Sequence, residues 1–227
     1  MRVRWFGHSA FLLSDGERRV AIDPWGDTES LGRRGVQFAY PPLEGIEADL
    51  VLISHEHLDH NGAEAVAGDP QVIRGTAGRF DSEVREVIGI ASEHDQVAGT
   101  QRGQNTIFAF ELGGTRVCHL GDFGQAELRD EQEAAIGGPD LLLIPVGGGP
   151  TIGAQAAAEI VRTLSPRVAV PMHYRTRWAD FVEPVDPFLD ELSGLEVRRL
   201  DEPAFVVEEF TAGPGETVIV VPALPEG

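Results

Sequence analysis

The amino-acid sequence predicts an α/β protein built from two packed, mixed β-sheets with helices on their outer faces. Three observations carry this prediction: a first quarter of short apolar strands parted by turns, an uncharged run from Leu141 to Pro145, and a helical repeat soon after it. An uncharged run of that length suits a strand buried on both faces. The element order, strands and then mixed α and β twice over, does not fit a regular doubly wound parallel sheet.

The strands of the first quarter are expected at Val3 to Phe6, Phe11 to Leu13, Val20 to Ile22 and Leu50 to Ile53, with Asp15-Gly16 as a hairpin turn. The stretch from Pro24 to Gly45, with its glycines and prolines, reads as a long surface loop of the kind that often carries function. Ala63 to Ala67 reads as a brief helix and Val72-Ile73 as a short strand. Ile107 to Phe110 and Arg116 to Leu120 flank Gly113-Gly114 as a second hairpin. From Ile152 to Leu164 the apolar positions Ile152, Ala156, Ile160, Val161 and Leu164 recur at helical spacing, with Thr151 as N-cap and Ser165-Pro166 as a stop. Val168 to Val170 is then a strand, Pro187 to Leu192 a helix and Thr217 to Val221 a last strand. The halves before and after about Gly103 resemble each other in element order alone, and neither a repeat nor a linker divides the 227 residues, so one domain over 1–227 is expected.

Composition removes several chemistries. Eighteen basic against 37 acidic residues give a formal charge of −19, which repels nucleic acid and anionic membranes at long range. Every basic residue is arginine; without lysine there is no phosphate-loop lysine, no Schiff base and no Ser-x-x-Lys dyad. Cys118 is the single cysteine, so an internal disulfide and a Cys-x-x-Cys site are both excluded. It is expected to pack in a strand as a small hydrophobe. The first residues read as a hairpin and not as a signal peptide, and no stretch reaches the roughly 18 apolar residues of a membrane span. A cytoplasmic setting is the expectation.

Against this background the stretch L-V-L-I-S-H-E-H-L-D-H-N-G, Leu50 to Gly62, concentrates three of the seven histidines directly after an apolar strand. In extended chain His55 and His57 project to one side, where they can hold one ion. Asp59 and His60 follow after a bend and can face a second, and Asn61-Gly62 turns the chain away. The carboxyl end of a strand is where open α/β sheets place ligands.

H-E-H-L-D-H resembles the H-x-H-x-D-H signature of the metallo-β-lactamase superfamily, and A-S-E-H-D, H-L-G-D and P-M-H-Y follow in that family's order across nearly the whole chain. The stretches W-F-G-H-S-A-F, A-I-D-P-W, R-G-Q-N and P-V-G-G-G-P-T are similar to a bacterial branch of small metal-dependent hydrolases that includes ascorbate-6-phosphate lactonase-like proteins. The resemblance implies an αββα four-layer sandwich with a binuclear metal centre at one edge. It implies one ion held by His55, His57 and His94, another by Asp59, His60 and His173, and Asp122 bridging them. His119, three residues before Asp122, competes with His94 for the third histidine position. The family draws that ligand from a separate loop, which favours His94 and leaves His119 to orient a ligand or contact substrate.

The chemistry implied is hydrolysis by a hydroxide activated between two divalent ions about 3.5 to 4 Å apart. Asp59 is expected to orient that hydroxide, and the acid for the leaving group is a second metal-bound water, His119 or Tyr174. Nitrogen-rich ligands suit Zn2+, with Mn2+ or Fe as alternatives. Asp122 stands where the family's dizinc β-lactamases carry a thiolate, and His57 stands where its oxygen-reducing branch carries Glu, so neither activity is expected. A small-molecule ester, lactone or phosphodiester is the expected substrate, with no nucleic-acid or membrane partner and with homo-oligomer formation open. A sensor or scaffold that binds metal without turnover is the alternative class. His8 reads singly as a core or surface histidine, Asp23 before Pro24 as either an anchor for the metal loop or a plain turn aspartate. The glycines from Gly147 to Gly149 suit a tight turn or an anion-facing loop. Arg102, Arg175 and Arg177 adjoin the motif stretches and are candidates for holding a substrate anion.

Overall fold

The computed structural model describes residues 1–26, 31–32, 35–210, 213 and 215–225. Its strands run, in chain order, β1 (Arg2–Gly7), β2 (Ala10–Ser14), β3 (Arg19–Ile22), β4 (Ile46–Glu47), β5 (Leu50–Ile53), β6 (Val66–Ala67), β7 (Gln71–Arg74) and β8 (Gly78–Ser82). They continue as β9 (Arg85–Glu93), β10 (Gln104–Leu112), β11 (Thr115–His119), β12 (Leu141–Pro145), β13 (Val168–Met172), β14 (Glu196–Arg199), β15 (Ala204–Val206) and β16 (Val218–Val221). Helices α1 (Asp130–Ile136), α2 (Ala154–Leu164) and α3 (Asp186–Glu191) lie between strands of the second half. One sheet has the order β15-β1-β2-β3-β5-β7, the other β14-β16-β13-β12-β11-β10-β9-β8, and β4 and β6 form a separate pair. Both large sheets are mixed, as expected, and together they make the sandwich.

Period-2 alternation explains how the first sheet is covered on both sides. Val3, Trp5, Phe11, Leu13, Val20, Ile22, Leu50 and Leu52 point into the main core, which they share with the second sheet. The intervening Phe6, Ala10, Ala21, Val51 and Ile53 point the other way, against Trp25, Phe38 and Tyr40. The stretch from Pro24 to Gly45, expected as a surface loop, therefore buries three aromatic side chains, although residues 27–30 and 33–34 within it lie outside the described residues. On the second sheet every residue of β12 and β13 is buried. Such double burial needs cover on each face, and α2 supplies part of it through Ala157, Ala158, Ile160, Val161 and Leu164.

Several boundaries differ from the expectation. The N-cap of α2 is Gly153, not Thr151, and makes no side-chain cap; Ser165 closes the helix in the left-handed region at φ 43°, its N–H on Val161 O at 2.9 Å. Ala63 to Ala67 is a 3-10 turn, Ala63–Ala65, followed by β6. The hairpin β8–β9 and helix α1 have no counterpart in the sequence reading. The former carries charges at Arg79, Asp81, Arg85 and Glu86 and breaks its apolar alternation at Gly89; the latter buries only Gln132 and Ile136, too few to show a period. The two sheets do not follow the halves before and after Gly103: β8 and β9 join the second sheet, and β15 crosses back to pair with β1.

This topology places the site. β1, β3 and β5 run in one direction in the first sheet, and β9, β11, β12 and β13 share a direction in the second. The carboxyl ends of the two sets meet at one edge, where Thr106 N–H donates to Ser54 O across the sheets at 2.9 Å. No helix among the described residues is long and apolar enough to cross a membrane.

Candidate metal centre

Each polar group of the centre sits at or just beyond the end of a strand. His8 follows β1, Asp23 follows β3, Ser54 and His55 follow β5, His94 follows β9, Asp122 lies three residues past β11, and His173 follows β13. His8, Asp23 and His173 adopt positive φ values of 49°, 45° and 52°, uncommon for a residue other than glycine. Such a conformation persists where the surroundings over-determine it: the His8 and His173 rings pack at 4.1 Å between centroids, and the Asp23 carboxylate is held by Ser54 and His60.

Two groups of donors result, joined by a third. His55, His57 and His94 form one, Asp59, His60, His173 and His8 form the other, and His55, His60 and Asp122 form the third, with a histidine from each; the ligand atoms of each group lie within 4.8 Å of one another. Asp122 stands between the first two. Its Oδ2 is 3.2 Å from His94 Nε2 and 3.3 Å from His173 Nε2, one nitrogen from each group, and its Oδ1 is 3.3 Å from His60 Nε2. The seven residues anticipated as ligands are thus brought together, and His8 joins them.

The donor set fits divalent ions. His60 Nε2 and Asp122 Oδ1 are buried without a hydrogen-bond partner, and each such atom costs about 1 to 3 kcal/mol unless something satisfies it. His55 Nε2 and His57 Nδ1 converge to 3.0 Å, as nitrogens aimed at a common cation do. Imidazole and carboxylate are ligands of zinc and of other transition ions alike.

The outward-facing ring nitrogens are held by the fold. His94 Nδ1–H donates to Pro150 O at 3.0 Å, which leaves Nε2 for the centre. Asp23 holds both groups at once: its Oδ2 accepts from His60 Nδ1–H at 3.0 Å and from Ser54 Oγ–H at 2.6 Å, and Ser54 Oγ in turn lies 2.9 Å from His55 Nδ1. Asp23 Oδ1 also takes Ser54 N–H at 2.7 Å. The anchoring role weighed for Asp23 in the sequence is the one it has. Asn105 braces the bridging position, accepting Asp122 N–H at 2.9 Å while its amide donates to Leu120 O at 2.8 Å. Gly121, beside Asp122, has φ 58°, and a Cβ there would lie 2.3 Å from Asn105 Oδ1, so the turn into Asp122 requires glycine.

Charge follows from burial and partners. Burial pushes the Asp122 carboxyl up, but His173, His60 and His94 outweigh it and hold the group well below the usual carboxylate range. Burial likewise acts against Asp59, which His60 and the hydrogen bond from His8 keep ionised. Burial, with His173 adding to it, pushes the His8 imidazole down to about 4, so at neutral pH it donates through Nε2–H to Asp59 Oδ2 at 3.1 Å as a neutral ring.

His119 does not take part as a reacting group. Its Nε2–H donates to Ser9 O at 3.1 Å and its Nδ1 accepts Gly121 N–H at 3.0 Å, so both nitrogens are committed to backbone. That leaves no atom for a metal, a substrate or a leaving group, and it is the His94 ring that lies against His55 and His57. His119 instead ties the turn before Asp122 to the β1–β2 connection. Tyr174 is also displaced from the chemistry: its ring packs on Trp5 at 5.5 Å between centroids, and burial pushes its hydroxyl well up.

A cavity of about 760 Å³ opens on the two groups, lined by Glu56, His57, Leu58, Asp59, His94, Asp122 and His173 together with Leu31, Val36, Arg102, Gly149, Pro150 and Phe181. Of the three arginines weighed for anion binding, only Arg102 reaches it. Arg175 Nε donates to Val182 O at 2.8 Å and Arg177 lies over the Trp178 ring. The sequence reading took His8 for a core or surface histidine; its local marks are its place directly after an apolar strand and within W-F-G-H-S-A-F.

A family model described as Beta-lactamase superfamily domain matches residues 2–173, a span that ends on His173 and contains both donor groups and Asp122. A UPF0173 metal-dependent hydrolase of Thermococcus onnurineus is 32% identical over 202 residues, 78% of this chain and 85% of its own length. One of Pelotomaculum thermopropionicum is 29% identical over 96% of this chain and 99% of its own. The crystal structure of a metallo-β-lactamase superfamily protein from Thermotoga maritima superposes with a TM-score of 0.77 at 31% identity, covering 97% of this chain and 98% of that one.

Proposed function

We propose, because the chain belongs to the β-lactamase superfamily, that it is a metal-dependent hydrolase with two divalent ions at this centre, acting on an ester, lactone or phosphodiester bond of a small molecule. The observation that carries the reading is the pair of donor groups sharing Asp122 at the floor of an open cavity. Relatives named as metal-dependent hydrolases over most of their length support it.

In this reading His55, His57 and His94 would hold one ion, Asp59, His60 and His173 would hold the other, and Asp122 would serve both; Zn2+ would suit the nitrogen-rich set best. When bound, such ions supply an acidified water and a Lewis acid for developing negative charge. The protein's own groups do the rest. Asp59, aimed by the His8 Nε2–H, would accept a hydrogen bond from a water in the cavity and so direct its lone pair toward the substrate. Asp23, Ser54 and the Pro150 carbonyl keep the rings from turning. Leu31, Val36, Leu58 and Phe181 exclude solvent around a substrate body. The size of the cavity fits a small molecule, and a charge of −19 without lysine argues against a nucleic-acid substrate.

The test is turnover on a panel of lactones, carboxylic esters and phosphodiesters with protein reconstituted with Zn2+ or Mn2+. Hydrolysis of at least one class is expected, lost on chelation and restored by metal. Protein that retains its metal yet turns over no member of the panel would overturn the hydrolase reading in favour of a metal-binding sensor.

A further inference from the structure

The geometry points to Arg102 as the group that selects the substrate of this cavity, and to that substrate as an organic anion: an apolar body carrying a carboxylate or phosphate apart from the bond that is broken. This rests on the hydrolase reading for the reaction, though not for the binding.

The charges on the cavity wall lead to it. Glu56 is paired with Arg74 at 3.1 Å. Asp59 receives His8, and Asp122 is surrounded by histidine nitrogens. None of the ion pairs among the described residues includes Arg102. Among the described residues it is the one arginine of the lining. On a protein of net charge −19 an anionic ligand gains nothing from the overall field, so an anionic group held away from the metal-facing side chains needs a local cation of its own.

Arg102 is also held in place by a built turn. The segment after His94 wraps around the Asp95 carboxylate. Oδ1 accepts the N–H groups of Val97 at 2.9 Å and Gly99 at 2.8 Å, and Oδ2 accepts those of Gln101 at 2.9 Å and Arg102 itself at 2.8 Å. The turn closes on the centre, since His94 N–H donates to Gly103 O at 3.1 Å. One carboxylate therefore fixes the backbone of Arg102 relative to the metal-facing His94. A guanidinium, planar and always charged, grips a carboxylate or phosphate through two parallel N–H donors. Leu31, Val36, Leu58 and Phe181 offer apolar surface for the remainder of the ligand.

The experiment is calorimetric binding of phenylphosphonate, phenylacetate and the neutral phenylethanol to the full chain, metal-loaded and metal-free, in wild type, Arg102→Gln, Arg102→Lys and the distant control Arg79→Gln. Wild type should bind at least one anion in both forms of the protein, and which one distinguishes phosphate from carboxylate recognition. Arg102→Gln should weaken that anion about tenfold, the scale of one charge-assisted pair, while leaving phenylethanol and the Arg79→Gln variant within twofold of wild type. Arg102→Lys should recover part of the loss. Binding of the anion by Arg102→Gln within twofold of wild type would overturn the assignment, as would wild type binding neither anion. Neither result bears on whether the protein hydrolyses the panel above, so the two readings fail separately.

Discussion

Asp122→Ala is expected to lose metal and hydrolysis together, with an affinity for divalent ions reduced by more than about 100-fold, beyond the range seen when only an outer hydrogen-bonding partner is removed. The reason is geometric. One carboxylate lies 3.2 Å from His94, 3.3 Å from His173 and 3.3 Å from His60, so its removal takes a ligand from both donor groups and the negative charge from between three imidazoles. Metal content after dialysis and the rise in Tm on adding zinc read the loss directly, because an ion that binds the native state raises its stability. The variant should show a zinc-independent Tm and an unchanged far-UV spectrum. Full activity with unchanged metal content would refute the bridging assignment.

Asp23→Ala is expected to destabilise the metal-free protein by about 3 kcal/mol or more, the scale of breaking a buried ionic contact, and to weaken metal binding about 10- to 100-fold. Asp23 does not line the cavity of the centre. It is fully buried and receives three hydrogen bonds, from Ser54 N–H, Ser54 Oγ–H and His60 Nδ1–H. Through them it orients His60 in one donor group and His55 in the other. Its burial pushes the carboxyl up, but His60 outweighs that and lowers it below the ordinary value. A group whose pKa is lowered by folding contributes fully above its ordinary pKa and loses the contribution as the pH falls through the folded value. Asp23→Asn, which keeps the volume and loses the charge, should therefore flatten the acid limb of a denaturation series run from neutral pH downward. An acid limb unchanged from wild type would show that the carboxylate is not ionised in the native state.

How much of this was legible in the chain depends on whether a residue's partners are local. His55, His57, Asp59 and His60 lie within six residues after an apolar strand, and spacing alone brings them together. His94, Asp122 and His173 each end a different strand, so only the resemblance, taken in order, could join them. His8 and Asp23 escaped, or stayed ambiguous, because a lone histidine and an aspartate before proline look the same whether they meet solvent or a metal ligand. Their meaning lies in contacts 51 and 37 residues away in the chain. His119 misled for the opposite reason: it adjoins the motif, yet its ring spends both nitrogens on the backbone of Ser9 and Gly121. The same limit applies to the fold. Alternation exposed β1 to β3, double burial exposed β12, and a long amphipathic period exposed α2. The hairpin β8–β9 and the short α1 carry charge where a pattern would need apolar residues. The stretch after Pro24 looked like surface because its aromatics pack across the sheet face and not along the chain.

The most direct measurement is anomalous diffraction at the zinc edge from crystals of the zinc-loaded protein. Two peaks per chain are expected, one among His55, His57 and His94 and the other among Asp59, His60 and His173, with Asp122 reaching both. A single peak, or peaks lying away from these side chains, would contradict a shared two-ion centre.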